Sequence, residues 1–322
     1  MFRVRGLRAG RNELSGRRPG SFVLWVLRGL LRRLTSRTFG FWPKAGVWVV
    51  PADYNAPIPA LDLDRQRHHR ASVLAGVDLR IPEQLDTLTR FASSYGHEWS
   101  AMAADPTPNA WDYYHHNESF SRVDAELTHA FVRDLKPRRI VEVGSGMSTR
   151  LLAHAGRSNA SEGHAFEMTV IDPFPGTVVV DGVPGVTRLI QAPVETQSLE
   201  LFELEPNDVL FVDSTHVLKA GGDVEFLLFE VLPRLKPGVV VHFHDVYLPF
   251  DYPPQIYASR WFWTEQYALR ALLTNNPQLR VLWSSFAVYR RHPDDLVAAL
   301  PGLTIQREGG PASLWVRIEA TS

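Results

Sequence analysis

The spacing of apolar positions along the chain changes near residue 140. Before that point, apolar residues recur every three or four positions over 82–95 and 122–135, which predicts two amphipathic helices. After it, short apolar runs alternate with helix-length segments. These runs predict seven strands, at 140–143, 169–172, 186–191, 208–213, 239–245, 280–289 and 313–319.

The segments between the later strands predict helices at 146–154, 222–235 and 257–273. Strands that alternate with helices form parallel sheets whose crossovers cover both faces. We therefore expect an α/β fold with a doubly wound, mostly parallel, seven-stranded Rossmann-like sheet and an N-terminal helical or extended extension. The predicted division is a basic arm over 1–45, an extension or lid over 46–120, and a ligand-binding domain over 121–322.

Basic side chains concentrate at the start of the chain. Residues 1–50 contain eleven basic residues and one acidic residue, whereas residues 51–322 contain 23 basic and 34 acidic residues, a net charge of −11. An acidic folded part would repel phosphate, so we expect no nucleic-acid partner. The apolar run within 21–34 is interrupted by Arg28 and is far shorter than the ~20 residues that span a bilayer. The arm is expected to be poorly ordered, or to form a basic amphipathic helix over residues 21–34 that contacts anionic lipid or a partner. An export signal is the weaker alternative, because the apolar region is short and no small-residue cleavage site follows it.

The chain contains no cysteine. This excludes disulfides, cysteine-ligated zinc and iron–sulfur clusters. We expect a cytoplasmic protein, peripheral to the membrane if the arm binds lipid, and a homo-oligomer is left open.

A glycine turn follows the first predicted strand. Gly144 and Gly146 allow a sharp turn and close approach of the backbone to a ligand, and the next strand ends in Asp172, whose carboxylate could hold ribose hydroxyls. A dinucleotide site requires a third glycine where Thr149 stands. Glu142, two residues before the turn, suits a ligand with a cationic amine better than one with a pyrophosphate. The pattern favours S-adenosylmethionine over NAD(P).

Four segments carry a resemblance to a known family: 141–146, 170–172, 208–213 and 235–240. Over about residues 120–320 the chain resembles the class I S-adenosylmethionine-dependent methyltransferases. It is similar to bacterial small-molecule methyltransferases whose first motif reads Gly-Ser-Gly-x-Ser-Thr and whose fifth strand ends in His-Asp. The resemblance implies that the glycine turn wraps the methionine part of the cofactor and that an acid binds the ribose. The cofactor residues it implies are Glu142, Gly144, Ser145, Gly146, Ser148, Asp172 and Asp213.

Acidic and imidazole groups end the fourth and fifth predicted strands. His216 follows Asp213 by three residues, and His244 and Asp245 are adjacent. This arrangement is similar to that of metal-dependent catechol-type O-methyltransferases, which implies Asp213, His244 and Asp245 as ligands of a divalent metal and His216 as the base. A metal-free site that uses His216 or His244 as base is equally open, with Asp245 also counted among the catalytic residues. His242, inside the strand, is expected to be a core histidine.

Aromatic clusters flank these predicted strands. Residues 111–117 could form a lid in which Asn117 touches the cofactor, and residues 247–252 and 261–263 could line an apolar acceptor pocket. Both clusters could equally be core. The function expected is O-methylation of a small-molecule hydroxyl, on a sugar or natural product. The alternatives are an NAD(P)-dependent oxidoreductase and a non-catalytic membrane-associated binding protein.

Overall fold

The computed structural model describes residues 27, 29–31, 33–35, 37–50, 58, 68, 70–306 and 309–320. The chain divides into two compact units, Met1–Leu61 and Asp62–Ser322. The division predicted at residues 45 and 120 stays a prediction. No helix within the described ranges is long and apolar enough to cross a membrane.

In the first unit, the described residues between 27 and 37 are helical, and a short 3-10 helix covers Trp42–Ala45. Four leucines at helical spacing, Leu27, Leu30, Leu31 and Leu34, are each at least half exposed. Much of the predicted amphipathic segment 21–34 lies outside the described residues, namely 21–26, 28 and 32. Lipid contact through this segment stays a prediction.

The second unit is built on a seven-stranded sheet in the order β3-β2-β1-β4-β5-β7-β6. Strands β1 to β5 are parallel, and β7 pairs antiparallel with both β5 and β6. This confirms the predicted α/β architecture. The strands are β1 (Arg139–Val143), β2 (Glu167–Ile171), β3 (Arg188–Ile190), β4 (Val209–Val212), β5 (Val240–Phe243), β6 (Leu279–Ser284) and β7 (Leu314–Ile318).

Helices cover both faces of the sheet, because alternate strand residues enter two separate apolar cores. Ile140 and Phe211 belong to one core, and Val141 and Leu210 belong to the other. The helices are α1 (Ile81–Ala101), α2 (Asp124–Leu135), α3 (Met147–Ser161), α4 (Thr177–Asp181), α5 (Asp223–Glu225), α6 (Pro254–Ala258), α7 (Glu265–Leu273), α8 (Ser285–Arg291) and α9 (Pro293–Ala299). Helix α5 continues through a π-helical segment, Phe226–Val231, and a 3-10 turn, Leu232–Arg234.

Two predicted helices are longer than expected, because α1 continues to Ala101 and α3 to Ser161, and two other predicted elements extend past their observed ends. The helix predicted over 257–273 is broken between α6 and α7, where Arg260 adopts a left-handed backbone with φ of 63°. The strand predicted over 280–289 ends at Ser284, which forms the last pair with Leu314 of β7. Beyond Ser284 no strand residue of β7 is available to pair with, and the chain turns into α8. Both differences depend on contacts that the local pattern does not contain.

Candidate active site

The glycine turn after β1 lies at the carboxyl edge of the sheet, between β2 and β4. Gly144 has φ of +85° and donates its N–H to the carbonyl of Ile171 at 2.9 Å. A Cβ on Gly144 would lie 1.8 Å from the carbonyl oxygen of Asp213. The end of β4, rather than a ligand, therefore requires glycine here. A Cβ on Gly146 would meet no described atom within 4 Å, so open space lies beside that residue.

Glu142 has a carboxylate oxygen without a protein partner. The side chain is fully buried, and Oε1 accepts a hydrogen bond from Ser148 Oγ at 2.7 Å. No described residue hydrogen-bonds to Oε2, which is also buried. Burial raises the pKa of Glu142 to about 8, and the Ser148 hydrogen bond opposes that rise. A pKa of about 8 leaves Glu142 largely protonated near pH 7, so the ammonium group of a ligand would bind Oε2 by displacing that proton.

Asp172 follows β2 and is joined to the glycine turn. Its Oδ2 accepts a hydrogen bond from Ser145 Oγ at 2.6 Å, and its Oδ1 accepts one from the amide of Phe174 at 2.7 Å. Thr149, at the position where a dinucleotide site needs glycine, accepts a hydrogen bond from the amide of Gly146. The structure therefore brings the predicted residues of the first and second motifs together at one edge.

A second group lies beyond β4 and β5. Nε2 of His216 is 3.3 Å from Oδ1 of Asp213 and 3.4 Å from Oδ2 of Asp245. The ligand atoms of these three residues lie within 4.8 Å of one another, and no other metal-ligating group of three or more occurs in the described part of the chain. The predicted ligand set contained His244, whereas the structure brings His216 to the two acids. Asp245 has φ of 55°, so the direction of its side chain does not follow the alternation of side chains along β5.

Glu265, at the start of α7, completes the surroundings of His216. Its Oε2 lies 2.9 Å from His216 Nδ1, and its side chain is 2% exposed. The carbonyl of His216 accepts hydrogen bonds from the amides of Thr264 and Glu265 at 2.8 and 3.1 Å. Sequence reasoning missed Glu265, because nothing near it marks it: it stands 49 positions from His216 and reaches it only when α7 docks.

The charges around His216 oppose its assignment as a base. Burial lowers the pKa of His216, but Asp213, Glu265 and Asp245 outweigh burial and raise it well above its usual value. Burial likewise raises the pKa of Asp213, but His244 and His216 outweigh it and lower the pKa to about 2. Both ring nitrogens of His216 thus face carboxylates.

The two histidines of β5 and its end have different environments. His242 is fully buried, stacks on Phe211 at 3.7 Å and hydrogen-bonds to Ser313, as a core histidine would. His244 is 7% exposed and lies 5.1 Å from Phe120 between ring centroids. Its Nδ1 is buried and has no hydrogen-bond partner among the described residues. Burial lowers the pKa of His244, but Asp213, Asp245 and Asp124 outweigh burial and raise it above its usual value, so His244 accepts a proton only after it has released its own.

Asn117 forms hydrogen bonds within its own loop, and its contact with the cofactor stays a prediction. Its amide nitrogen donates to the carbonyls of Tyr114 and Phe120, and its oxygen accepts from the amides of Ser119 and Phe120. Both amide hydrogens are committed, so the side chain closes its own loop and has no donor left for a ligand.

The aromatic segment 261–263 lies against the His216 group. The rings of Trp263 and His216 are 4.6 Å apart, and Trp261 stacks on Trp263 at an interplanar angle of 15°. Trp261 is 53% exposed, whereas Tyr247 and Tyr252 are buried. The predicted aromatic cluster is thus divided: residues 247–252 contribute core, and residues 261–263 supply an accessible apolar surface beside His216.

Residues 141–246 match a family model described as "Methyltransferase domain". A curated relative, an uncharacterized protein of Archaeoglobus fulgidus, is 28% identical over 166 residues, which is 49% of this chain and 74% of that protein.

Among solved structures, the chain is similar to Podospora anserina methyltransferase PaMTH1 with SAH bound, at 19% identity and a TM-score of 0.40, covering 73% of this chain and 88% of that one. It is also similar to the O-methyltransferase TomG of Streptomyces achromogenes in complex with SAM, at 15% identity and a TM-score of 0.35, covering 72% and 89%. The segment matched by the family model contains the glycine turn, Asp172 and the Asp213 group. The match supports a methyltransferase domain over residues 141–246.

Proposed function

We propose that the protein transfers the methyl group of S-adenosylmethionine to a hydroxyl of a small-molecule acceptor. The observation that carries the proposal is the unpartnered carboxylate oxygen of Glu142 beside the glycine turn, at the same sheet edge as the Asp213, His216 and Asp245 group. The first feature fits the ammonium group of the cofactor. The second places acid–base and ligand chemistry beyond the neighbouring strands β4 and β5, where the acceptor would meet the methyl group.

Three side chains would hold the cofactor, two of them directly and one through Glu142. Glu142 binds the ammonium group, Ser148 holds the Glu142 carboxylate in place, and Asp172 accepts hydrogen bonds from the ribose hydroxyls. The open space at Gly146 leaves room for the methionine part. These contacts fix the sulfonium next to the end of β4, and that alignment supplies much of the rate of an in-line displacement.

The acceptor hydroxyl must lose its proton as the bond to the methyl carbon forms. We assign the role of proton acceptor to His244, which directly follows β5 and precedes Asp245. His216 is not assigned this role, because both of its ring nitrogens face carboxylates. Trp263 and Trp261 would offer an apolar wall to the acceptor.

A divalent cation fits the remaining group. Asp213, His216 and Asp245 offer two oxygens and one nitrogen within 4.8 Å of one another. When bound, such a cation supplies a Lewis acid that lowers the pKa of a hydroxyl coordinated to it. The carboxylates of Asp213 and Asp245 would orient that hydroxyl toward the methyl group.

The test combines cofactor binding with turnover. Calorimetry on the full chain should show one site for S-adenosylmethionine and its demethylated product, and transfer of a radiolabelled methyl group to a panel of hydroxylated acceptors should identify a substrate. His244→Ala should lose about 10²–10⁴-fold in turnover while its affinity for the cofactor stays within about twofold. His164→Ala, which changes an exposed histidine, should retain both.

Two results would contradict the proposal. Absence of binding of either cofactor form at about millimolar concentration would remove the methyltransferase function. Normal turnover by His244→Ala would remove the assigned base and leave only the alignment of the two reactants.

A further inference from the structure

Glu265 is a buried acid in contact with His216, and the proposed chemistry has not used it. We infer that Glu265 is a positioning residue that holds His216 so that its Nε2, together with Asp213 and Asp245, binds a first-row transition cation such as Mn²⁺ or Co²⁺ in preference to Mg²⁺. The inference rests on the proposed function only in placing this group at the acceptor edge.

The orientation of the His216 ring follows from its contact with Glu265. Oε2 of Glu265 lies 2.9 Å from Nδ1, a hydrogen-bond distance. A histidine that donates its Nδ1–H to a carboxylate presents the lone pair of Nε2 on the opposite side of the ring. On that side lie the carboxylates of Asp213 and Asp245.

The distances on the Nε2 side are those of ligands that share an ion. The separations of 3.3 and 3.4 Å exceed good hydrogen-bond lengths, and one N–H cannot be directed at both oxygens. Two ligand atoms bound at about 2.1 Å to one ion lie about 3.0 Å apart at right angles and about 3.4 Å apart at tetrahedral angles. The spacing therefore needs little change to receive a cation.

The backbone holds this arrangement before any cation arrives. His216 has φ of 59°, a left-handed conformation that is uncommon outside glycine. Two amides at the start of α7 donate to its carbonyl, and Asp223 accepts hydrogen bonds from the amide and the hydroxyl of the preceding Thr215. The ring of Trp263 covers one face of the imidazole at 4.6 Å. Such support reduces the reorganisation that binding would require.

The donor set decides the class of cation. Mg²⁺ prefers oxygen ligands and binds imidazole poorly, whereas Mn²⁺, Co²⁺ and Zn²⁺ accept one imidazole beside carboxylates. With His216 replacing an oxygen ligand, transition cations should bind more tightly. Outer partners of a ligating histidine, the place we assign to Glu265, typically change metal affinity by about 10–100-fold.

The experiment measures cation binding to the full chain after treatment with a chelator. Mn²⁺ binding is followed by electron paramagnetic resonance, with Mg²⁺ as competitor, for the native protein, Glu265→Gln and Glu265→Ala. The matched control is Glu98→Gln, because Glu98 also faces a buried histidine, His129, at 3.3 Å. The visible spectrum of the Co²⁺-loaded protein reports the ligand field directly.

We expect one Mn²⁺ per chain, weakened about 10–100-fold by Glu265→Gln and unaffected by Glu98→Gln. The Co²⁺ spectrum should change in His216→Asn and shift in Glu265→Gln, which a purely structural role would not produce. Equal Mn²⁺ affinity in Glu265→Gln and the native protein, displacement of Mn²⁺ by equimolar Mg²⁺, or no Mn²⁺ binding at all would overturn the inference. If Glu265→Ala does not fold, the isosteric Glu265→Gln decides.

Binding of S-adenosylmethionine, measured on the same samples, separates this inference from the proposed function. Loss of cofactor binding in the native protein refutes the function, while the Mn²⁺ titration still decides the role of Glu265.

Discussion

Gly144 and Gly146 stand two positions apart in the turn after β1, yet they should respond to alanine in different ways. Gly144→Ala would place its Cβ 1.8 Å from the carbonyl oxygen of Asp213, and Gly144 already has φ of +85°. Gly146→Ala would place its Cβ where no described atom lies within 4 Å. Gly144→Ala therefore tests the stability of the fold, and Gly146→Ala tests the space proposed for the cofactor.

The cost at Gly144 has two parts. A left-handed conformation costs a residue with a Cβ about 1–2 kcal/mol, and overpacking that shifts neighbouring backbone typically adds about 1–3 kcal/mol. We therefore expect Gly144→Ala to lower the free energy of unfolding by about 2–5 kcal/mol, a large part of the 5–15 kcal/mol typical of a domain. The overlap involves the backbone of Asp213, which cannot move without disturbing the pairing of β4 with β1.

Urea unfolding followed by circular dichroism measures this change, and calorimetry measures the affinity for S-adenosylmethionine. Gly146→Ala should unfold near the native midpoint and bind the cofactor at least about tenfold more weakly, because its methyl group occupies the proposed site. Equal stability of Gly144→Ala and the native protein would refute the packing argument. Unchanged cofactor affinity in Gly146→Ala would refute the assignment of the open space.

Two further predictions concern buried ionisable groups. Glu142→Gln should weaken S-adenosylmethionine binding about 10–150-fold in calorimetry, because a charge-assisted hydrogen bond contributes about 1.5–3 kcal/mol, and equal affinity would exclude the ammonium contact. Burial lowers the pKa of His129 to about 3, so the unfolded chain takes up a proton below pH ~6.5 that the folded chain refuses, and stability should fall as pH drops from 6.5 toward 3. In urea titrations at about pH 7 and pH 5, His129→Asn should lose less stability over this interval than the native protein; an identical loss would contradict the assignment.

Asn117 illustrates a contact that a local sequence pattern does not predict. The cluster of aromatic and polar residues at 111–117 was interpreted as a lid or as core, and the pattern could not show what the amide of Asn117 would bond to. The structure commits that amide to the carbonyls of Tyr114 and Phe120. Asn and Asp side chains readily bond to nearby backbone, and a loop that closes in this way competes with any ligand.

The seven strands of a mostly parallel sheet, the glycine turn, and the placement of Glu142 and Asp172 followed from the sequence alone. Each depends on an alternation of apolar runs or on residues adjacent to a strand end. Because the carboxyl ends of parallel strands meet at one edge, the neighbourhood of these groups could be deduced without coordinates. The acids Asp213 and Asp245 were found in the same way.

Tertiary structure alone decided which histidine joins these acids. His216 and Asp245 both have positive φ, with values of 59° and 55°, so neither side chain direction follows from strand alternation. Glu265 is the first residue of α7, far from His216 in sequence, and its amide donates a hydrogen bond to the carbonyl of His216. Contacts between distant segments set these directions, because backbone conformations of this kind persist only where surrounding structure holds them.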